Sequence, residues 1–456
     1  MKKTKVWLTL LLTLALCLLS FSAVWADDDA AADTDKAAIT KLLKVPFGTD
    51  TSGLTFVFEI ESKTVNDATA TYDGTTEKYN MPTIGLPTEI GSLKGTVDIV
   101  FNGDEKLVGT TSGISTYFLE SDNLITADEF PHAGIFVYTI TENETKSTQA
   151  KTGGPKEVIS YSKAEYKVIF YVSEDGDGDL EITHIGVLNT KDDAGTAISA
   201  ENQTKVDPTP DPDGDGKNYS KMTFTNTLVR TWDGTEPEDD DDWTLAISKV
   251  VEGTYGDKTK YFSYNMTITA PSLVPHTPSA PKYKAYVVEA DSSATAPKGY
   301  KVVTSSENFA GSITDNAFEV TTDVPFTFNL KDGQYLVFID TPVGTSYIIT
   351  ETGASGYIPK VSVIYDGKAA VLDDGGATKY TSGTPIVLPN DRISSDNLYV
   401  GEELSKAAFT NTRDEVTPTG LNLNDIPFIG MIALAFGALI AFVAVKARKR
   451  KIYSQY

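Results

Sequence analysis

Cysteine occurs once in the 456 residues, at Cys17, and histidine only three times. Cys17 sits inside an apolar N-terminal run, so removal of that run leaves no sulfur for disulfides, thiolate metal sites or a cysteine nucleophile. His132, His184 and His276 belong to no ligand pattern, and neither a phosphate-binding glycine loop nor a nucleophile elbow is present. Asp211-Pro212-Asp213-Gly214-Asp215-Gly216 imitates the start of a calcium loop, but its twelfth position is Met222 instead of a bidentate glutamate, so it reads as an acidic turn. Nothing here calls for a metal or another cofactor. Basic residues are scarce as well: 39 Lys and Arg stand against 63 Asp and Glu, a formal net charge of -24. That balance repels phosphate backbones, and the one dense basic cluster lies at the C-terminal end, which sets nucleic acid aside as a partner. Long amphipathic helices are missing too, since no stretch between 27 and 415 sustains a 3.6-residue apolar period.

What is present is a β pattern. Thr55-Phe56-Val57-Phe58-Glu59-Ile60, Tyr166 to Val172 and Tyr261 to Ile268 are rich in β-branched and aromatic residues and alternate with period two between Gly, Asp, Asn and Pro turns. Strands at Tyr166 to Val172 and Leu180 to Ile185, joined by a turn at Asp175 to Asp179, read as a hairpin. Many short strands of this kind predict an all-β chain built of sandwiches. Residues 230–242, with Glu236-Pro237-Glu238 and four consecutive aspartates, read as an acidic, solvated linker between a first domain at 27–229 and a second at 243–414.

The two ends carry targeting signals. Lys2, Lys3 and Lys5 precede a hydrophobic stretch, and Ala26 offers a small residue at the cut, so 1–26 reads as a cleaved secretory signal peptide. Leu16, ahead of Cys17, departs from the small residue a lipoprotein cut requires. Ile426 to Val445 is an apolar span of 20 residues, long enough to cross a hydrocarbon core of about 30 Å, and Lys446, Arg448, Lys449, Arg450 and Lys451 follow it. Val416-Thr417-Pro418-Thr419-Gly420 stands just before the span. Pentad, spacer, span and basic tail together resemble the cell-wall sorting signal of Gram-positive surface proteins, here 415–456. The resemblance implies that a sortase cysteine cuts between Thr419 and Gly420, holds the threonine as an acyl-enzyme and passes it to an amine. Val416 and Thr417 replace the Leu and Pro of the common pentad, and a proline directly before Thr-Gly resembles the variant signals of some streptococcal pilins.

Three segments recur in the same order on the two sides of the linker. Ala38-Ile39-Thr40-Lys41-Leu42-Leu43 matches Ala246-Ile247-Ser248-Lys249-Val250-Val251, Tyr138-Thr139-Ile140-Thr141-Glu142 matches Tyr347-Ile348-Ile349-Thr350-Glu351, and Phe-Thr-Asn-Thr occurs at 224–227 and again at 409–412. The lysine and glutamate are 101 positions apart in the first half and 102 in the second, the agreement expected of duplicated domains. Glutamate to asparagine differs, 84 against 60, and the surplus falls where the first half carries its Asp/Gly-rich turns.

Strand parity puts Lys41 with Ile39 and Leu43, Glu142 with Tyr138 and Ile140, and Asn226 with Phe224 on the apolar face, and it treats Lys249, Glu351 and Asn411 in the same way. Burying a charge unpaired costs several kcal/mol, so three such groups inside a sandwich need a reason. Apolar surroundings lower a lysine pKa and raise a glutamate pKa, which gives an amine able to attack an asparagine carboxamide while the glutamic acid polarises the carbonyl and moves protons. Expulsion of ammonia leaves an isopeptide bond, with each domain its own single-turnover catalyst rather than an enzyme. Lys44 is the rival to Lys41, but it has the opposite parity and aligns with Glu252 in the second repeat.

First-strand lysine, Tyr-x-x-x-Glu, last-strand Phe-Thr-Asn-Thr and the sorting signal together resemble the Gram-positive major (backbone) pilins of the streptococcal T-antigen type. The resemblance implies tandem immunoglobulin-like domains with spontaneous bonds Lys41 to Asn226, assisted by Glu142, and Lys249 to Asn411, assisted by Glu351, the first and last strands of each domain lying side by side. It further implies a secreted subunit, held briefly in the membrane, that a sortase links from Thr419 to a lysine of an identical subunit, the polymer joining peptidoglycan directly or through a base pilin. A host surface ligand is a further partner open to such a subunit, as it is to the alternative, a singly wall-anchored adhesin with the same bonds. The acceptor lysine is assigned to Lys217, in a Gly/Asp-rich loop before the first domain's last strand, ahead of Lys221 and of Lys360 in Tyr357-Ile358-Pro359-Lys360.

Overall fold

The computed structural model describes residues 35–414, apart from positions 77, 148–155, 274–279, 293–298, 310–312, 370–380, 391, 392, 394, 396 and 397, together with scattered positions between 431 and 442. The signal peptide expected at 1–26, the pentad at 416–420 and most of the span at 426–445 lie outside the described residues. Described positions from 431 to 442 are helical and exposed. Among the described residues no helix is long and apolar enough to cross a membrane.

The described residues from 35 to 414 are all-β, in two sandwiches that follow one another along the sequence. The main strands of the first are β1 (Thr40–Pro46), β2 (Thr55–Val65), β3 (Ile114–Glu120), β4 (Gly134–Glu142), β5 (Glu165–Glu174), β6 (Leu180–Lys191) and β7 (Thr223–Thr231). One sheet carries, in order, Lys156–Ser160, β7, β1, β3 and Lys106–Thr111; the facing sheet carries β6, β5, β4, β2 and Lys94–Val100. Alternation along β7 buries Phe224, Asn226, Leu228 and Arg230 and leaves the residues between them half-buried. Phe56, Phe58, Phe136, Tyr138, Phe170 and Phe224 fill the space between the sheets, and Phe58 meets Phe224 across it with ring centroids 4.9 Å apart. The expected hairpin is present with both strands longer than the sequence pattern indicated: β5 and β6 turn at Asp175 to Asp179, where Gly178 takes φ +89° and the Asp175 N–H donates to the Asp179 carbonyl at 2.8 Å.

The second sandwich repeats the plan with β8 (Leu245–Glu252), β9 (Phe262–Thr269), β10 (Lys282–Ala290), β11 (Gln334–Phe338), β12 (Ser346–Glu351), β13 (Ile358–Tyr365) and β14 (Ser405–Thr412). Its larger sheet includes β10, β11, β8, β14 and β13 in that order, and β9 and β12 pair in the facing sheet. A separate core, with Phe262, Tyr264, Phe328, Phe338 and Phe409, lies between them. In each half the first strand runs parallel to the last, and the register is the same: Lys41 stands opposite Phe224 and Leu43 opposite Asn226, as Lys249 stands opposite Phe409 and Val251 opposite Asn411. Parallel neighbours need a long crossover, and here the rest of the domain supplies it.

The junction corrects one expectation. Arg230 and Thr231, read from the sequence as the start of a solvated linker, complete β7, and Arg230 is buried. Its parity sends the side chain the same way as Phe224, Asn226 and Leu228, but at the end of the strand, where two carboxylates meet it. Arg230 Nε donates to Glu157 Oε1 at 2.7 Å, and Nη1 donates to the Glu402 carboxylate and the Asp50 carbonyl. Glu402 belongs to the second half and also accepts the Asp50 N–H at 2.7 Å. Phe47 lies 5.9 Å from the Tyr365 ring and 5.3 Å from Tyr399. Gly344, at φ +84°, approaches so closely that a Cβ there would stand 2.3 Å from Pro46 Cβ.

Arg230→Ala would leave two carboxylates without their shared cation, and is expected to lower the unfolding free energy of a 27–419 fragment by about 3–5 kcal/mol in urea titrations. Lys156→Ala, which removes only an exposed pair with Asp233, is expected to change it by less than about 1 kcal/mol.

Candidate functional site

Lys41, Glu142 and Asn226 converge between the sheets of the first sandwich. Lys41 and Asn226 project from adjacent strands of one sheet and Glu142 from the end of β4 in the other, so side chains 101 and 84 positions apart in sequence share one buried point. Lys41 and Asn226 are both 0% exposed. Lys41 Nζ donates to both Glu142 oxygens at 2.9 Å, and Asn226 Nδ2 donates to Glu142 Oε1 at 2.7 Å. The Asn226 carbonyl oxygen accepts the backbone N–H of Ser162 at 2.7 Å. Phe56 walls the amine, with Nζ 4.6 Å from its ring centroid. Lys44 is exposed.

Lys249, Glu351 and Asn411 make the same figure in the second sandwich. Lys249 Nζ donates to Glu351 Oε1 at 2.7 Å and Asn411 Nδ2 donates to that same oxygen at 2.6 Å. Phe262 replaces Phe56 as the wall, 4.2 Å from Nζ. Tyr264 stands opposite Glu351 where Phe58 stands opposite Glu142. One difference matters: Asn411 Oδ1 and Glu351 Oε2 are buried and have no hydrogen-bond partner among the described residues.

Other expected residues fall elsewhere. Lys217 is exposed and pairs with Asp215 at 2.7 Å, which holds its amine above the usual lysine value. Lys221 is exposed, with Nζ 4.1 Å from the Tyr219 ring centroid. The Asp211 carboxylate accepts backbone N–H groups of Asp213 and Gly216, as an acidic turn does. Thr419 and Gly420 lie outside the described residues. Sequence reasoning missed Ser162 and the Arg230 joint. Ser162 lies in none of the three repeated segments and meets Asn226 through its backbone N–H, so no side-chain pattern marks it; Arg230 was open to detection by strand parity from Phe224.

Comparison with known proteins shows what the chain as a whole is similar to. Residues 243–413 match a family model described as a domain of unknown function, DUF7601. A pilin from Streptococcus pyogenes serotype M1 is 26% identical over 206 residues, 45% of this chain and 49% of the pilin. The pilus tip adhesin Cpa of Streptococcus pyogenes is 33% identical over 178 residues, 39% of this chain and 18% of the adhesin. The chain is similar to Gram-positive pilins. The matched part thus spans about half the length of the one curated relative and less than a fifth of the other. Among solved structures, the major pilin from Streptococcus pyogenes aligns over 84% of this chain and 100% of its own, at 17% identity and a TM-score of 0.29.

In this pilin-like chain the electrostatics of the two sites are alike. Burial pulls Lys41 and Lys249 down to about 8, outweighing the opposing pull of the glutamate each one faces. Burial likewise pushes Glu142 and Glu351 up, against the effect of their lysines. Both partners are therefore driven toward their neutral forms, and at pH 7 a lysine of pKa 8 is neutral about a tenth of the time. Amine and carboxamide, each within hydrogen-bond reach of the same carboxyl group, can exchange protons through it.

A variant with Asn226→Ala and Asn411→Ala isolates these titrations. Between pH 8 and 10.5 the unfolded chain holds lysine protons that the folded chain has shed, so stability rises with pH by at most about 1.4 kcal/mol per pH unit for each lysine. The glutamates act in the opposite sense: raised above 4.5, they contribute stability that is lost as pH climbs through their folded values. Denaturant midpoints are expected to fall as pH rises above about 5 and to recover between about 8 and 10. A flat profile would contradict the two shifts.

Proposed function

We propose that the chain is a structural subunit of a sortase-assembled surface pilus, each of whose sandwiches is stapled by an autocatalytic isopeptide bond, Lys41 to Asn226 and Lys249 to Asn411. The observation that carries this reading is that in both halves a buried lysine and a buried asparagine meet at one oxygen of a buried glutamate. The neutral amine attacks Asn Cγ, the glutamic acid relays the amine proton to Nδ2, the Cγ–Nδ2 bond breaks and ammonia leaves. Each site turns over once, and no substrate other than the chain itself is consumed.

Mechanical strength is the consequence of placement. Tension entering on β1 and leaving on β7, or entering on β8 and leaving on β14, passes through a covalent link between neighbouring strands. On the chain-entropy model used for disulfides, closing the long loop between Lys41 and Asn226 contributes at most roughly 5 kcal/mol of stability, so resistance to force is the larger gain. An exported chain that has lost Cys17 with its signal peptide thereby has the staple that disulfides give others. After secretion and a transient stay in the membrane, a sortase joins Thr419 to Lys217 of the next subunit, and the finished polymer is tied to peptidoglycan directly or through a base pilin. Similarity to a pilus tip adhesin favours one second reading, a singly wall-anchored adhesin with the same staples that binds a host surface ligand.

Intact mass of a recombinant 27–419 fragment tests the staples. Each bond removes about 17 Da as ammonia, so two such losses are expected, one of them restored by Glu142→Ala and the other by Glu351→Ala. A folded fragment of full mass would overturn the reading. Immunoblots of wall extracts separate pilin from adhesin: a high-mass ladder that Lys217→Arg abolishes is expected, whereas a single species would favour the adhesin and a ladder indifferent to Lys217→Arg would remove that lysine from the joint.

A further inference from the structure

The first sandwich holds a feature that is absent among the described residues of the second. Asn226 Oδ1 is the atom on which negative charge develops when an amine adds to Cγ, and the Ser162 backbone N–H points at it from 2.7 Å in a fully buried setting. We propose that this N–H is the oxyanion donor of the first site, a catalytic group for isopeptide formation beyond the glutamate; the proposal rests on the isopeptide reading above.

The donor is fixed from several sides. Ser162 Oγ donates to the Asp193 carboxylate, which also accepts the Thr225 N–H at 3.0 Å from the strand that carries Asn226. The Ala164 N–H donates back to Ser162 Oγ at 3.1 Å, and the Lys163 N–H donates to the Asp193 carbonyl at 2.9 Å. Because the donor is held before reaction, it needs no reorganisation as the carbonyl becomes an alkoxide, which is the condition under which such a bond lowers a barrier. The step balances with the groups present. Lys41 Nζ bonds to Cγ, the carbonyl π pair moves onto Oδ1 under the Ser162 N–H, Glu142 carries the amine proton to Nδ2, and the pair returns as ammonia departs. A cleft of about 320 Å³, lined by Glu142, Tyr161, Ser162 and Lys163 among others, adjoins the site and offers ammonia a way out. In the second sandwich the corresponding Asn411 Oδ1 has no partner among the described residues, which makes that site the internal control.

The test replaces the Ser162 amide by an ester, through incorporation of the α-hydroxy analogue of serine during cell-free synthesis of the full chain. Tryptic mass mapping then follows both cross-links in time. The expected result is that the Lys41 to Asn226 link forms about 10²-fold more slowly than in the unaltered chain while the Lys249 to Asn411 link keeps its rate. Ser162→Ala, which retains the N–H, is expected to stay within a few-fold of the unaltered rate. Ser162→Pro removes the N–H by a simpler route, and the ester carries the test if the proline variant does not fold. An ester chain that forms the first link at the unaltered rate overturns the proposal and leaves the isopeptide reading standing. Absence of the first link from the unaltered chain overturns that reading itself, and this proposal with it.

Discussion

A lysine amine buried against a phenylalanine ring at the centre of a sandwich is the constraint from which the rest of each domain follows. Alone it would cost several kcal/mol, so it requires the carboxylate of the facing sheet. That carboxylate, itself buried, requires donors, and the lysine and the asparagine supply them at 2.6 to 2.9 Å in the two halves. Each of the three side chains is tolerable because of the other two. The low dielectric that makes burial costly also pushes amine and acid toward neutrality, so the factor that threatens stability is the one on which the proposed bond formation relies.

Geometry turns that local solution into a property of the whole domain. The lysine and the asparagine lie on the first and last strands, adjacent and parallel with the same two-residue offset in both halves. Strand β7 does a second job four residues later, where Arg230 continues the same face beyond Leu228 and meets Glu157 of its own half and Glu402 of the other. One strand thus carries both the buried asparagine and the cation of the junction. A load path that runs from one domain to the next would pass along it.

The two halves are copies in plan but not in detail. The first asparagine carbonyl has a backbone donor and a cleft beside its glutamate, whereas the second glutamate and asparagine each keep an oxygen with no partner among the described residues, next to a tyrosine where the first half has phenylalanine. The lysine, glutamate and asparagine that meet between the sheets are the same in both halves. Surrounding loops diverged, as the unequal spacing from glutamate to asparagine already indicated.

The sequence by itself determined the all-β character, because period-two alternation of β-branched and aromatic residues is a local property of each strand. It also determined which of Lys41 and Lys44 turns inward, because parity follows from neighbours two residues away. The pairing of lysine, glutamate and asparagine was legible only because the chain is duplicated, and two copies at nearly equal spacing make a long-range relation visible in one dimension. Tertiary structure decided the rest. The Ser162 donor is a backbone group, identical in every residue but proline, so nothing in its side chain announces it. The fate of Arg230 depended on carboxylates 73 and 172 positions away, and only the folded chain brings those charges to a residue that the acidic stretch beside it had marked as solvent-facing.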